Sequence, residues 1–293
     1  MSDICLIVGG NSMVGSALRT AMRARGIDAL TTSRRETSSK LPDVLWLDLS
    51  TPEGVRLSIV PRSAFLCAAN SAFIECEKNG DATYRVNVSG SILISKQLLS
   101  DGAFVIFISS SAVFEGLEPF PKPNSVRSPT TAYGKQKAEA EQQLLELDQG
   151  RGNVAIVRLT KVFTQETPVI RRFLQNLTKR ERFDAFADLY MSPISLPYVV
   201  DALLEIERLK IGGIHHLSGN LEMSYAEFAR RLAERVGAPA DLVSESTVEQ
   251  SPVPVLYRPR HPALSMALTT EATGVKPEPI DIMLDNLLGH IAA

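Results

Sequence analysis

Tyr133 and Lys137 stand four residues apart, a spacing that on a helix sets an ammonium beside a phenol on one face. A phenol titrates near a pH of about 10 and is a poor acid at neutrality, while a neighbouring Lys⁺ stabilises the phenolate and eases proton release. The pair therefore has the make-up of a general acid. Ser128-Pro129-Thr130 opens the segment, and Ala138, Leu144, Leu145 and Leu147 continue it with good helix formers, so a helix over Lys135 to Leu147 is expected. Taken alone, the spacing also fits a solvated helix face, and its meaning depends on the elements that would position it.

Those elements begin at the N-terminus. Ile4 to Val8 is a short branched apolar run, Gly9-Gly10-Asn11-Ser12-Met13-Val14-Gly15 follows, and Ser16 to Met22 reads as a helix. A strand, a glycine turn and a helix in that order aim free backbone N–H groups and a positive dipole end at a phosphate. The spacing is Gly9-x-x-Ser12-x-x-Gly15, with serine in place of a middle glycine. Gly9, Asn11, Ser12, Met13, Val14 and Gly15 are thus the candidate pyrophosphate positions. A second strand, Asp28 to Thr32, ends in Ser33-Arg34-Arg35, and the first acid is Glu36. An acid at this place binds the ribose 2′-hydroxyl of NAD, whereas arginine accepts the 2′-phosphate of NADP, so NADP is the expected cofactor. Val44 to Leu49 reads as a third strand with Asp48 near its end, and Ala64 to Asn70, with Ala68 and Ala69, as a fourth. These strands predict a doubly wound parallel sheet of Rossmann type.

Composition sets outer limits. The chain has 293 residues and a formal charge of -2, and it is long enough to suggest two lobes. No basic tract argues for nucleic acid or an acidic membrane, and Arg171-Arg172 and Lys179-Arg180 read as solvated helix faces. Cys5, Cys67 and Cys76 show no metal or redox spacing, which suits reduced thiols and a cytoplasmic location. No apolar run reaches membrane-helix length. Glu118 to Asn124 and Thr247 to Pro262 are Pro-rich loops, the first expected over the active site. His215 and His216 lie in an expected strand, where packing or a backbone bond is their role.

Several motifs in order carry a family resemblance: the glycine turn, Cys67-Ala68-Ala69, Tyr84-Arg85-Val86-Asn87-Val88, Phe107 to Gly116, Tyr133 with Lys137, Val157-Arg158-Leu159-Thr160, Ser192-Pro193, Gly213 to Gly219 and Arg258 to Leu264. The chain resembles the extended short-chain dehydrogenase/reductases, and among them the dTDP-4-dehydrorhamnose reductase family of sugar-nucleotide reductases. The resemblance implies that Tyr133 donates a proton to a carbonyl oxygen as hydride arrives from the nicotinamide, that Lys137 holds the nicotinamide ribose and lowers the phenol pKa, and that Ser110 hydrogen-bonds the same oxygen. It implies that Asn87 supports the lysine through water, although a helix-interior asparagine bonding to backbone is the other reading. It places Ser111, Lys161 and Arg258 at the substrate.

Departures from the family pattern narrow the chemistry. Ser111 and Ala112 stand where dehydratases carry Asp and Glu, so ketone reduction is the more economical reaction. Ser111 also replaces an Asp common in rhamnose-type reductases, Ile74-Glu75 an Asp-Lys, and Lys161 a Trp, which leaves the sugar open. Ala17 occupies the position of a metal-binding glutamate at the dimer contact of some members, so no such metal is expected. The resemblance implies an NADP-binding domain of residues 1–162 with about 190–218, a substrate lobe of 163–189 with 219–293, and a homodimer paired through helices of the cofactor domain. An epimerase retaining NAD is the second reading. A cofactor-binding regulatory subunit without turnover, as the related beta subunit is for methionine adenosyltransferase, is the third.

Overall fold

The computed structural model describes residues 3–35, 43–51 and 57–289; Glu36 lies outside them. The elements run β1 (Cys5–Val8), α1 (Met13–Ala24), β2 (Ala29–Ser33), β3 (Val44–Trp46), β4 (Ser63–Leu66), α2 (Phe73–Lys78) and α3 (Gly80–Tyr84). A π-helical turn over Arg85–Gly90 leads into α4 (Ser91–Ser100), then β5 (Phe104–Ser110) and α5 (Ala132–Asp148). The second half comprises β6 (Val154–Leu159), β7 (Lys161–Phe163), α6 (Pro168–Lys179), β8 (Phe183–Phe186), β9 (Tyr190–Met191), β10 (Pro193–Ser195), α7 (Leu196–Leu209), β11 (Gly213–Leu217), β12 (Met223–Ser224), α8 (Tyr225–Arg235), β13 (Val243–Ser246), α9 (Ala267–Thr273) and α10 (Ile280–Leu288).

Seven strands form one parallel sheet in the order β11-β6-β5-β4-β1-β2-β3. Strands β1, β4 and β6 are buried along their whole length, as their unbroken apolar runs require of strands covered on both faces. On one face Ile7, Phe65 and Val157 pack with Leu18 and Met22 of α1 and Leu203 and Ile206 of α7. On the other, Leu6, Leu66 and Phe107 pack with Leu98 of α4 and Ala140 and Leu144 of α5. A separate apolar cluster gathers Phe163, Phe173, Phe183, Phe228, Met283 and Leu287 around α6, α8 and α10.

The strand order reverses between β1 and β4, which opens a crevice beyond their carboxyl ends, the place where open α/β sheets bind ligands. Helix α5 follows β5, and Asn87 joins it to the crevice by bonding both the cleft-lining Asn70 and Gln136, the residue before Lys137.

Candidate active site

The crevice is a cleft of about 510 Å³ lined by Gly9, Asn11, Ser12, Ser33, Arg34, Arg35, Asp48, Ala68 and Ala69, all foreseen in the sequence, together with Val8, Thr32, Leu47, Leu49, Val86 and the Asn70-Ser71-Ala72 turn. Ser12 accounts for its own presence in the glycine turn. It is the N-cap of α1, its Oγ accepting from the Gly15 N–H at 3.0 Å. Gly9 sits at φ +89, and a Cβ there would stand 2.7 Å from Ala68; a Cβ on Gly15 would stand 2.3 Å from the Gly9 carbonyl oxygen. The backbone can thus approach a bound phosphate as no side-chain-bearing residue would allow. Met13, Val14 and Gly15 do not line the cleft. Met13 is exposed on the first turn of α1, and Val14 packs into the core.

At the far end of the cleft, Asn11 Nδ2 donates to Ser33 Oγ at 2.7 Å, and that oxygen also accepts from the Arg35 N–H at 3.1 Å. The Ser33-Arg34-Arg35 corner is therefore held in place while both guanidinium groups are exposed. Among the described residues neither arginine has an acidic partner, so two cations are left for an anion at the spot where an adenosine ribose would lie. Asp48, expected at the cofactor, turns its Oδ1 to the Ser50 N–H and hydroxyl.

The candidate catalytic edge is built from the end of β5 and the start of α5. Side chains alternate along β5, so Ser109 and Ser110 face opposite ways. Ser109 is buried and donates to Glu141 Oε1 at 2.5 Å, whereas Ser110 lines a chamber with Ser111 and caps the turn at 111–113 by accepting from the Ala112 N–H at 3.1 Å. Helix α5 starts at an N-cap, Thr131, and Gly134 lets it approach closely, since a Cβ there would come within 2.2 Å of the Ala112 carbonyl oxygen. That contact presses the Tyr133 turn of α5 against the Ser110–Ala112 turn.

Lys137 is 2 % exposed and lies with Nζ 3.9 Å above the Phe107 ring centroid. Burial pulls its pKa down to about 8, opposed by the charge of Glu141 one turn along α5. Tyr133 is 8 % exposed, and burial, then the nearby Cys76, push its phenol above its ordinary range. Lowering by the lysine was expected; in this geometry desolvation decides, because Tyr133 is covered by Phe73 and Tyr257. The phenol is thus fully protonated at neutral pH, the form a proton donor needs.

Asn87 bonds directly to Asn70 and Gln136. Its Oδ1 accepts from the Asn70 N–H at 2.7 Å, and its Nδ2 donates to Asn70 O at 2.9 Å and Gln136 Oε1 at 2.7 Å. It fastens the cleft-lining turn at Asn70 to α5, beside Lys137. His215 and His216 bond the backbone oxygens of Ile211 and Ser265, as expected of strand histidines.

Beyond the catalytic edge are two further cavities. A chamber of about 120 Å³ is lined by Ser110, Ser111, Thr160, Lys161, Tyr190, Met191, Tyr257 and Pro259, among others. A cavity of about 750 Å³ opens between α6, β8 and the 247–252 segment, with Lys161, Thr167, Arg172, Asp184, Tyr225 and Gln250 in its wall. Lys161 belongs to both walls and joins them. Arg258, expected at the substrate, is exposed, pairs with Glu249 at 3.1 Å and lines neither cavity. Arg172, read as a solvated helix residue, does line the large cavity, where its Nη2 donates to Asp184 O at 3.1 Å. Residues 118–124 contribute nothing to the chamber wall; the second Pro-rich loop supplies Tyr257, Pro259 and Pro262 instead.

A parallel sheet with a glycine turn at its point of reversal, and tyrosine and lysine on the helix after β5, define an extended short-chain dehydrogenase/reductase. The chain belongs to the family described as RmlD substrate binding domain, whose profile matches residues 3–292. It is 27 % identical over 269 residues to methionine adenosyltransferase 2 subunit beta of Bos taurus, covering 88 % of this chain and 79 % of that one. It is 25 % identical over 269 residues to dTDP-4-dehydrorhamnose reductase of Aggregatibacter actinomycetemcomitans, covering 85 % and 90 %. The crystal structure of dTDP-4-dehydrorhamnose reductase from Bacillus anthracis in complex with NADP superposes with a TM-score of 0.84 at 21 % identity, covering 98 % of this chain and 99 % of that one.

No described helix is long and apolar enough to cross a membrane.

Proposed function

We propose that this protein is an NADP-dependent reductase of a keto-sugar carried on a nucleotide. The observation that supports the reading is that the Tyr133–Lys137 segment of α5 is tied through Gln136 and Asn87 to the cleft-lining Asn70, and packs through Gly134 on the turn after Ser110, which lines the chamber beyond. On one side is the glycine-turn cleft ending in Arg34 and Arg35; on the other, through Lys161, is a cavity of about 750 Å³ with Arg172 in its wall. The cofactor would be held by the turn at Gly9 to Gly15, the Ser33-Arg34-Arg35 corner and Lys137, and it would supply the hydride. Ser110 and Tyr133 would orient the carbonyl oxygen, and the Tyr133 hydroxyl would give it the proton. The large cavity falls within the usual pocket range of roughly 300–1,000 Å³; its wall carries Lys161 and Arg172, two cations that could meet a diphosphate, alongside Asp184 and Glu245, the latter paired with Arg230.

Incubation of the purified protein with NADPH and a panel of nucleotide-linked keto-sugars, read as loss of NADPH absorbance, tests the reading. Two other readings have distinct outcomes. An epimerase would copurify with bound NAD and interconvert sugars without net cofactor consumption. A regulatory subunit, favoured by the match to the methionine adenosyltransferase beta subunit, would bind NADPH and consume none with any sugar.

NADPH is expected to bind more tightly than NADH, because charge-assisted bonds from Arg34 and Arg35 are available only to the 2′-phosphate. Alanine at both positions should abolish the preference while leaving NADH affinity near its starting value. Equal affinities in the unmodified protein, measured by fluorescence titration, would count against the assignment.

The homodimer of the proposal would pair α4 and α5 about a two-fold axis. The outer face of α5 is polar: Lys135, Glu139, Gln142 and Glu146 are exposed, Glu139 accepts from Tyr84 and Gln143, and Gln142 donates to Glu146. Leu93 of α4 is the large apolar side chain beside them. An interface of this kind is wet and salt-sensitive, so sedimentation at micromolar concentration should show dimers that dissociate on dilution or in high salt. A monomer under all conditions removes the dimer.

A further inference from the structure

The side chains that cover Tyr133 come from two segments with no part in the chemistry above. Phe73, the first residue of α2, meets the Tyr133 ring edge-on with centroids 5.3 Å apart, and Tyr257 stacks on Phe73 at 5.8 Å with ring planes 11° apart. The Tyr257 hydroxyl donates to the Ser111 carbonyl oxygen at 3.2 Å, one residue from Ser110. Burial pushes the Tyr257 phenol up to about 12, so it remains a donor across the working pH range.

Tyr257 is carried by the strap of residues 247–262, which runs along both substrate cavities. Gln250, Ser251 and Pro252 line the large one; Tyr257, Pro259 and Pro262 line the small one. Between Ser251 and Leu256 the described hydrogen bonds stay within the strap: Ser251 Oγ with Val253, and Arg258 Nε with Val255 O. Pro252, Val253, Pro254 and Leu256 are exposed. Fastening to the sheet domain begins at Tyr257 and continues at His261, whose N–H donates to Gly116 O at 2.7 Å, and at Pro259, which sits so close that a Cβ on Gly116 would stand 2.4 Å from its own Cβ. A loosely held span thus ends in one side chain that both stacks on Phe73, the ring that meets Tyr133, and hydrogen-bonds the Ser111 carbonyl.

With that contact made, the chamber beside Ser110 has about 120 Å³, well below the roughly 300 Å³ at which small-molecule pockets begin. A sugar ring has no room within this chamber beside Ser110 while Tyr257, Pro259 and Pro262 hold their positions in its wall. We propose that the strap is a lid latched by Tyr257 onto Phe73 and the Ser111 carbonyl, and that it opens to admit the sugar and recloses with the Tyr257 ring against it. The identity of the ligand as a sugar rests on the reductase reading; the latch itself does not. Closure would remove water from the reacting carbonyl and bring the strap into contact with a ligand spanning both cavities, which is the differential contact a lid needs in order to close on its substrate.

Nitration by tetranitromethane, mapped by mass spectrometry, measures the latch without turnover. Tyr84 on α3, distant from the strap, serves as the internal reference. In Tyr257→Ala the nitration of Tyr133 relative to Tyr84 should rise by roughly tenfold or more, because local opening sets reagent access. Tyr257→Phe keeps the ring and loses the bond to Ser111, and should give a smaller rise; it also carries the test if the alanine variant does not fold. Unchanged Tyr133 labelling in the variants overturns the latch. Failure of the reductase reading would be seen in the NADPH assay and leaves this readout untouched.

Discussion

Tyr133→Phe is expected to lower turnover by roughly 10²–10⁴-fold while NADPH affinity stays near that of the unmodified protein. Phenylalanine keeps the ring that packs on Phe73, Ala112 and Cys76, so the pocket is retained and only the proton donor is lost. Lys137→Ala should behave differently and weaken both turnover and NADPH binding, since this ammonium is asked to hold the nicotinamide ribose. The lysine also predicts a pH effect. Its pKa is depressed to about 8, so its charge is lost as pH rises through that value, and NADPH affinity of the unmodified protein should decline above it. In Lys137→Ala that decline should be absent. Full reductase activity in Tyr133→Phe, on a substrate the unmodified protein reduces, would exclude Tyr133 as the acid.

How far these groups could be read from sequence depended on how local their causes were. The glycine turn was legible because strand, turn and helix are consecutive, and even the serine in it has a local explanation as the α1 N-cap. The basic corner was legible because it ends a strand next to the first. Ser110 was separated from Ser109 and Ser111 only by the family resemblance, from its place two residues before Ala112-Val113-Phe114; the alternation of β5 sends Ser110 to the chamber and Ser109 to Glu141. Arg172 was missed because a pair of arginines on an amphipathic helix looks solvated. Arg171 does turn outward to Glu166, but the next residue on α6 faces β8 and the large cavity. Arg258 was misplaced for the opposite reason: a family landmark marks a segment, and here Glu249 within the same loop takes the charge. Phe73 and Tyr257 carried no signal at all. They meet only once the strap is fastened to the segment after β5, and nothing in the local pattern of either segment records that contact. The raised Tyr133 pKa was invisible for the same reason, since spacing along α5 shows the lysine and not the aromatic cover.

The second large effect is expected in the buried pair of Arg158 and Glu141, which supports the catalytic edge from below. Arg158 is 1 % exposed and donates from Nε and Nη2 to the two oxygens of Glu141 at 2.9 and 2.7 Å, with its guanidinium 4.9 Å from the Phe114 ring centroid. Its Nη1 reaches Pro123 O at 3.0 Å and His216 Nε2 at 3.2 Å. Arginine can only donate, so Nε2 of His216 accepts and its Nδ1–H donates to Ser265 O at 3.0 Å. Burial and the arginine hold that imidazole neutral, with a pKa of about 3, which keeps the arrangement intact across the physiological range. The network ties β5, β6, β11 and α5 to Pro123 in the first Pro-rich loop and to Ser265, and Glu141 lies one helical turn beyond Lys137 and grips the serine before Ser110. Removing one member strands a buried charge, a loss that typically costs about 3–5 kcal/mol and is a large share of a domain's total of about 5–15 kcal/mol. Arg158→Met and Glu141→Gln should each lower the unfolding free energy measured by urea titration by that amount. The double variant Arg158→Met with Glu141→Leu should lose clearly less than the sum of the single losses, because both members of the fully buried pair are removed and Arg127, which also reaches Glu141 at 3.4 Å, is part-exposed and keeps its bond to Gln142. Single variants that unfold within about 1 kcal/mol of the unmodified protein would show that water or a shifted partner already neutralises the site, and that the catalytic edge is held by the Gly134–Ala112 contact alone.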